Sequence, residues 1–192
     1  MPHLTSAMRS KTDIRRDISA ILRTTPDVRA EKSARLCDAI ADSAAWASAR
    51  TVAIFAPQMR EPDVELLWTH GSGKSFAYPR VVDGRLDLFR VESLHELAPG
   101  AFGVREPEAR IENAIDPGVL DLILVPGVAF TRSGERLGRG GGFYDRLLAS
   151  LPAHTCKIGV CFDSQVQHEL PAEVHDQRVD FIVTETGLQP AV

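Results

Sequence analysis

The 192-residue chain is 44% apolar and 25% charged, the profile of a soluble globular protein with enough chain for one ample core. Its net charge of -4 gives no support to a general nucleic-acid-binding role, and no apolar run approaches the ~20 residues of a membrane span. Three cysteines (Cys37, Cys156 and Cys161), without C-x-x-C or Cys/His zinc spacing, read as reduced, buried thiols, and "MPHLTSAMRSKTDIRRD" lacks the apolar stretch of a signal peptide, so the cytoplasm is the expected location.

Residues 7–24 predict an amphipathic helix. Ile14, Ile18, Ile21 and Leu22 share one face, and Lys11 and Arg15 lie four apart on another. Thr5 or Ser6 is its expected cap. Pro26 opens a second helix running to about residue 42 and burying Leu36 and Ile40, and "SAAWASA" continues in helical composition. "TVAIFA" (51–56) is a short apolar strand, "PQMREPD" a loop and "VELLWTH" a short helix. "SFAYPRVVDGRLDLFRV" predicts a hairpin turning at Asp83-Gly84, near one sheet edge. Residues 92–118 are rich in Pro, Gly and charge and read as mostly irregular. "LDLILVPGVAF" (120–130) is the strongest strand, a continuous apolar run suited to burial on both sheet faces. A glycine loop follows, then a helix beginning at "FYDRLLASL", then buried strands at "KIGVCF" and "DFIVTE". Alternating helices and apolar strands predict an α/β fold: one domain over residues 1–192, a three-layer sandwich with a mainly parallel sheet and helices on both faces.

Two basic islands stand out in this acidic chain. Residues 8–23 carry five bases against two acids, and residues 131–146 carry four against two. Such islands suit a small anionic ligand better than a long polyanion, although a charged helix face is also often simply solvated. The second island surrounds "LGRGGGFYDR". A strand, a bare glycine turn and a helix N-terminus together present backbone N–H groups and a partial positive charge to phosphate. The loop is not a Walker A motif. Nor is it G-x-G-x-x-G, because Phe143 stands where the last glycine belongs. A tight turn without ligand is the competing reading; Arg136 and Arg139 inside the loop favour the cradle. Asp145, on the first helical turn, is either a helix-dipole partner or a Mg²⁺ ligand that lets a carboxylate sit beside phosphate.

"LILVPGVAFTRSGERLGRGGGFYDRLL" closely resembles the signature of the 5-formyltetrahydrofolate cyclo-ligase family. "KTDIR", "FAPQMREPDVELL", "AYPRV", "FGVREP" and "IGVCFDSQVQHELPAEVHDQRVDFIVTE" extend the likeness in order across nearly the whole chain. The resemblance implies an α/β sandwich that uses ATP and Mg²⁺ to convert 5-formyltetrahydrofolate into 5,10-methenyltetrahydrofolate, ADP and phosphate. It implies ATP contacts at Lys11, Arg15, Arg136, Gly138, Arg139, Gly140, Gly141, Gly142, Phe143, Tyr144 and Asp145. Folate contacts are implied at Ala56, Glu61, Arg139, Phe143 and Tyr144, and Mg²⁺ ligands at Asp145 and Asp176. Without the resemblance, Glu61 and Asp176 read as ordinary loop acids. Three positions depart from common family residues: Phe143 lacks a tyrosine hydroxyl, Gly141 lacks a side chain that is often lysine, and Ala56 is small. The expected partners are small molecules, with no nucleic acid or membrane, acting on a monomer or weak dimer. Two other functions compete: a non-catalytic folate binder, for which a metal carboxylate is superfluous, and an α/β enzyme of sugar phosphates or coenzyme A esters, which needs no ATP.

Overall fold

The computed structural model describes residues 9–23 and 25–192. The first helix, α1 (Lys11–Ile21), is shorter than the expected 7–24 because Ser10 caps it: the Ser10 hydroxyl accepts from the Asp13 N–H at 3.1 Å. Thr5 and Ser6 lie outside the described residues. Ile14 and Ile18 are buried and Leu22 is half-buried, but Ile21 is exposed, so the apolar stripe is narrower than the sequence suggests. Helix α2 (Pro26–Ala41) has its proline in the first turn and buries Leu36 and Ile40. Ser43 then caps a separate short helix, α3 (Ala44–Ser48).

The strands in chain order are β1 (Thr51–Ala53), β2 (Ser75–Val82), β3 (Arg85–Val91), β4 (Ala98–Pro99), β5 (Arg105–Glu106), β6 (Ala114–Ile115) and β7 (Leu122–Pro126). They continue with β8 (Ala129–Thr131), β9 (Arg136–Leu137), β10 (Cys156–Val160), β11 (Val166–Gln167), β12 (Phe181–Thr184) and β13 (Gly187–Pro190). Eight form the main sheet, ordered β13-β12-β10-β7-β1-β2-β3-β6. The five from β12 to β2 are mutually parallel, while β13, β3 and β6 add antiparallel edges. Asp83 (φ 48) and Gly84 (φ 76) both adopt left-handed backbone, the requirement of a tight two-residue hairpin turn. "VELLWTH" forms a 3₁₀ helix, Val64–His70.

Residues alternate between faces as a sheet covered on both sides requires. Val52, Phe76, Leu122, Leu124 and Val183 belong to the core under α2, α3 and the 3₁₀ helix. Ala53, Ala77, Ile123, Val125 and Ile182 belong to the core on the other side, with Leu147 and Leu148 of helix α4 (Phe143–Ser150). Helix α1 packs apart from both, against Ala129, Leu137 and Leu170. Truncating a fully buried residue such as Leu124 to alanine removes about 2–5 kcal/mol of stability. No helix among the described residues is long and apolar enough to cross a membrane.

The run 120–130 is not one strand. Pro126 ends β7, having no N–H to donate, and Gly127 turns under the Phe130 ring, where a Cβ would sit 2.6 Å from that ring. The chain then leaves the main sheet for a small second sheet, ordered β11-β8-β9. The glycine loop therefore hangs from β9 rather than from the end of the main strand. That displacement carries it over the C-terminal ends of β1 and β7.

Candidate active site

The parallel strands end where ligands of open α/β sheets bind. After β1 the chain passes Phe55 and Ala56; β7 ends at Pro126 and is followed by Gly127. Together with the glycine loop these residues enclose a cavity of about 420 Å³. A second cavity of about 420 Å³ lies beside it, walled by Arg15, Ile18 and Leu22 of the α1 segment, by Val128 and by Gln165.

Helix α4 begins without a side-chain cap. Its N-cap, Gly142, has φ 63, a left-handed conformation that glycine adopts without strain. The terminal N–H groups of α4 are thus left facing the loop rather than covered by a side chain. Gly138 answers a different constraint: a Cβ there would lie 2.9 Å from Arg136 Nη1. Arg15 reaches across from α1 and donates from Nε to the Gly138 carbonyl at 2.9 Å, so the first helix and the loop meet.

Lys11 takes a different partner. Its ammonium lies 2.9 Å from Asp176 Oδ2 and 3.2 Å from Glu173 Oε1. Burial works against the charged form of each, but their mutual hydrogen bond and attraction win. Lys11 is raised and Asp176 lowered from their ordinary values. Neither residue lines either cavity. His175 is exposed, with Nε2 at 3.2 Å from Glu173 Oε2.

Asp145 does line the first cavity. Its Oδ1 accepts from Arg136 Nη2 at 2.7 Å and from the Gln177 N–H at 3.4 Å. Arg136 is buried beneath the loop, with Nη1 at 3.3 Å from the Pro126 carbonyl and its guanidinium 5.7 Å from the Tyr144 ring; its Nε has no partner among the described residues. Burial, and next the negative charge of Glu61, push the Tyr144 phenol well up, so it remains a hydrogen-bond donor at neutral pH.

Mg²⁺ asks for one or two carboxylates beside phosphate oxygens and water. Asp145, at the cavity wall and next to the glycine loop, satisfies that demand as a single carboxylate. Asp176 comes near through its neighbour Gln177 but does not share a ligand cluster with Asp145. Among the described residues, the group of metal-type donors that includes Asp176 is Glu173, His175 and Asp176, into which Lys11 already points.

Glu61 is bound at both oxygens: Oε1 accepts from Arg139 Nη2 at 2.8 Å, and Oε2 from the Gln58 N–H at 2.9 Å. Ala56 is buried in the cavity wall, and Phe143 stands at its mouth, with its ring 5.8 Å from that of Phe102 and 5.2 Å from the Arg146 guanidinium. Gly140, Gly141 and Gly142 complete the loop, Gly140 lying close to the Arg15 guanidinium.

Glu106 and Phe102 are among the lining residues left unassigned in the sequence. Glu106 is buried, with Oε1 accepting from the Val81 N–H at 3.3 Å, and Phe102 holds a left-handed backbone, φ 56. Both come from the irregular stretch 92–118, where no periodicity indicates which side chain faces inward. The sole signal was the string "FGVREP" itself.

A model of the 5-formyltetrahydrofolate cyclo-ligase family matches residues 7–185. The 5-formyltetrahydrofolate cyclo-ligase of Escherichia coli K12 is 33% identical over 144 residues, covering 71% of this chain and 78% of that protein. That of Mycolicibacterium smegmatis is 44% identical over 88 residues, 46% of this chain and 45% of that protein. The solved structure of 5,10-methenyltetrahydrofolate synthetase from Aquifex aeolicus superposes with a TM-score of 0.83 at 32% identity, covering 94% of this chain and 92% of that one. The chain belongs to the 5-formyltetrahydrofolate cyclo-ligase family and, like its relatives, is a ligase.

Proposed function

We propose that this cyclo-ligase closes its product ring at the expense of ATP, with the folate in the first cavity and the nucleotide against α1 in the second, its phosphates reaching the glycine loop and Asp145 at the edge of the first. The observation that carries this reading is the adjacency of two cavities of similar size that share the glycine-loop residue Arg139. One cavity offers a carboxylate, a phenol and apolar walls at Glu61, Tyr144 and Ala56, suited to the N–H groups and planar ring of a reduced pterin. The other offers the Arg15 and Arg139 guanidinium groups, suited to phosphate.

A formamide oxygen is a poor leaving group. Transfer of the γ-phosphoryl group to that oxygen forms an O–P bond and releases ADP. Attack of folate N10 on the formyl carbon then forms the C–N bond, the C–O bond breaks, and phosphate departs as N10 loses its proton. This is chiefly positioning and charge neutralisation. Arg15 and the glycine-loop N–H groups hold the phosphates, and Arg136 fixes the orientation of Asp145 from beneath. Mg²⁺, held by Asp145, would supply charge neutralisation at the phosphate oxygens. Lys11 neutralises Asp176 and pins α1 beside the site. The free thiols suit a reducing compartment, the cytoplasm: burial raises Cys37 to about 12 and Cys156 to about 11, which keeps both protonated.

The test is the absorbance of the methenyl product with 5-formyltetrahydrofolate, with and without ATP. Product is expected only with ATP and Mg²⁺. Product without ATP would sink the phosphorylation route, and folate binding without any product would favour a binding role.

A further inference from the structure

Arg139 and Glu61 are 78 residues apart in sequence, yet their 2.8 Å ion pair stands at the boundary of the two cavities, and both residues line both. The pair is lopsided: Glu61 is 12% exposed and held from behind by the Gln58 N–H, whereas the Arg139 side chain is 60% exposed and free to swing. Taken with the reading above, each ligand wants one partner of this pair. The pterin N–H groups need the Glu61 oxygen that Arg139 occupies, and the nucleotide phosphates need the guanidinium that Glu61 occupies.

We infer that the Arg139–Glu61 pair couples the two substrate sites. Whichever ligand arrives first separates the pair and bears that cost; the second finds its group already released. The affinities must then rise together and by the same factor, because coupling between two binding equilibria is reciprocal. A partly exposed pair sets a modest scale, an enhancement between about two- and tenfold. The device also draws the guanidinium away from the folate cavity once a phosphate is present, so the bound nucleotide alone leaves Glu61 a full acceptor. Arg139 thereby acts as a positioning residue for the folate, through Glu61.

The experiment measures the equilibrium Kd of 5-formyltetrahydrofolate by calorimetry on the full chain, with and without a non-hydrolysable ATP analogue and Mg²⁺. Wild type is expected to bind folate two- to tenfold more tightly with the nucleotide present. Arg139→Ala is expected to bind folate alone at least as tightly as wild type does, and to show no further tightening on adding nucleotide. An uncoupled wild type, or an Arg139→Ala variant that binds folate alone more weakly, overturns the inference while leaving the ATP-dependent cyclo-ligase reading in place. A wild type that binds neither ligand overturns that reading and the coupling with it.

Discussion

Asp145 has two tasks that draw on the same carboxylate. Its Oδ1 balances the charge of Arg136, whose side chain is 3% exposed, and the same carboxylate faces the first cavity, where the phosphate end of Mg²⁺-nucleotide is proposed to meet the folate. Replacing Asp145 by Asn keeps the shape and one acceptor oxygen but removes the countercharge of a buried guanidinium that already has an unpartnered Nε. The expected cost is about 1–3 kcal/mol of stability, less than for outright loss of the partner because the amide oxygen still accepts. The Mg²⁺ concentration for half-maximal turnover should rise by about tenfold or more. Thermal unfolding and a Mg²⁺ titration at fixed ATP separate the two effects. A lowered melting temperature with unchanged Mg²⁺ dependence would leave Asp145 as the countercharge of Arg136 alone.

At the scale of elements, the glycine loop and α4 form one unit whose geometry depends on Gly142. Alanine there would have to hold φ 63 and would bring its Cβ to 3.0 Å from Arg146 Nη1. The strain is about 1–2 kcal/mol, relieved by moving the start of α4. Gly142→Ala should therefore lose that much stability and raise the ATP KM several-fold. Gly73→Ala is the control: Gly73 has a similar φ of 77 with nothing within 4 Å, so it should lose stability without altering KM. Equal KM effects in the two variants would show that the loop responds only to global stability. The strands and helices that such a unit rests on were legible wherever burial imposes a period: α2, the Asp83-Gly84 hairpin, β10 and β12 fall where the pattern puts them. The run 120–130 misled because hydrophobicity reports burial and not sheet membership; Pro126-Gly127 was the visible mark of the break. The proposed phosphate cradle draws on glycines and arginines close in sequence, and so was legible as a candidate. The Lys11–Asp176 and Arg139–Glu61 partnerships were not, since only the fold brings such distant residues together, and Glu106 had no pattern to reveal it.

Across the whole molecule, the contact between Lys11 and Asp176 ties α1 to a segment 165 residues away, and so closes the N-terminal helix onto the site. Both partners are mostly buried, with side chains 21% and 18% exposed, so the pair is worth on the order of 1 kcal/mol at neutral pH. Its pH window follows from the two shifts. Asp176 is lowered from its ordinary 3.8, so its contribution is fully present above that value and is lost as the pH falls through the depressed folded-state value. Lys11 is raised from its ordinary 10.5, so its contribution is fully present below 10.5 and is lost as the pH rises through the elevated one. The docking of α1 should accordingly hold on a plateau between about pH 4 and pH 10 and loosen at both ends. Amide hydrogen exchange in α1, corrected for its intrinsic pH dependence, should show protection falling below the plateau in wild type. Lys11→Met should lower protection on the plateau and flatten the acid limb, because protonating Asp176 then breaks no ion pair with α1; its remaining cationic neighbour, the exposed His175 at 3.9 Å, lies outside that helix. An acid limb that persists unchanged in Lys11→Met would assign the pH dependence to other carboxylates and leave the docking of α1 to Ile14, Ile18, Arg15 and the Arg60–Ser19 hydrogen bonds.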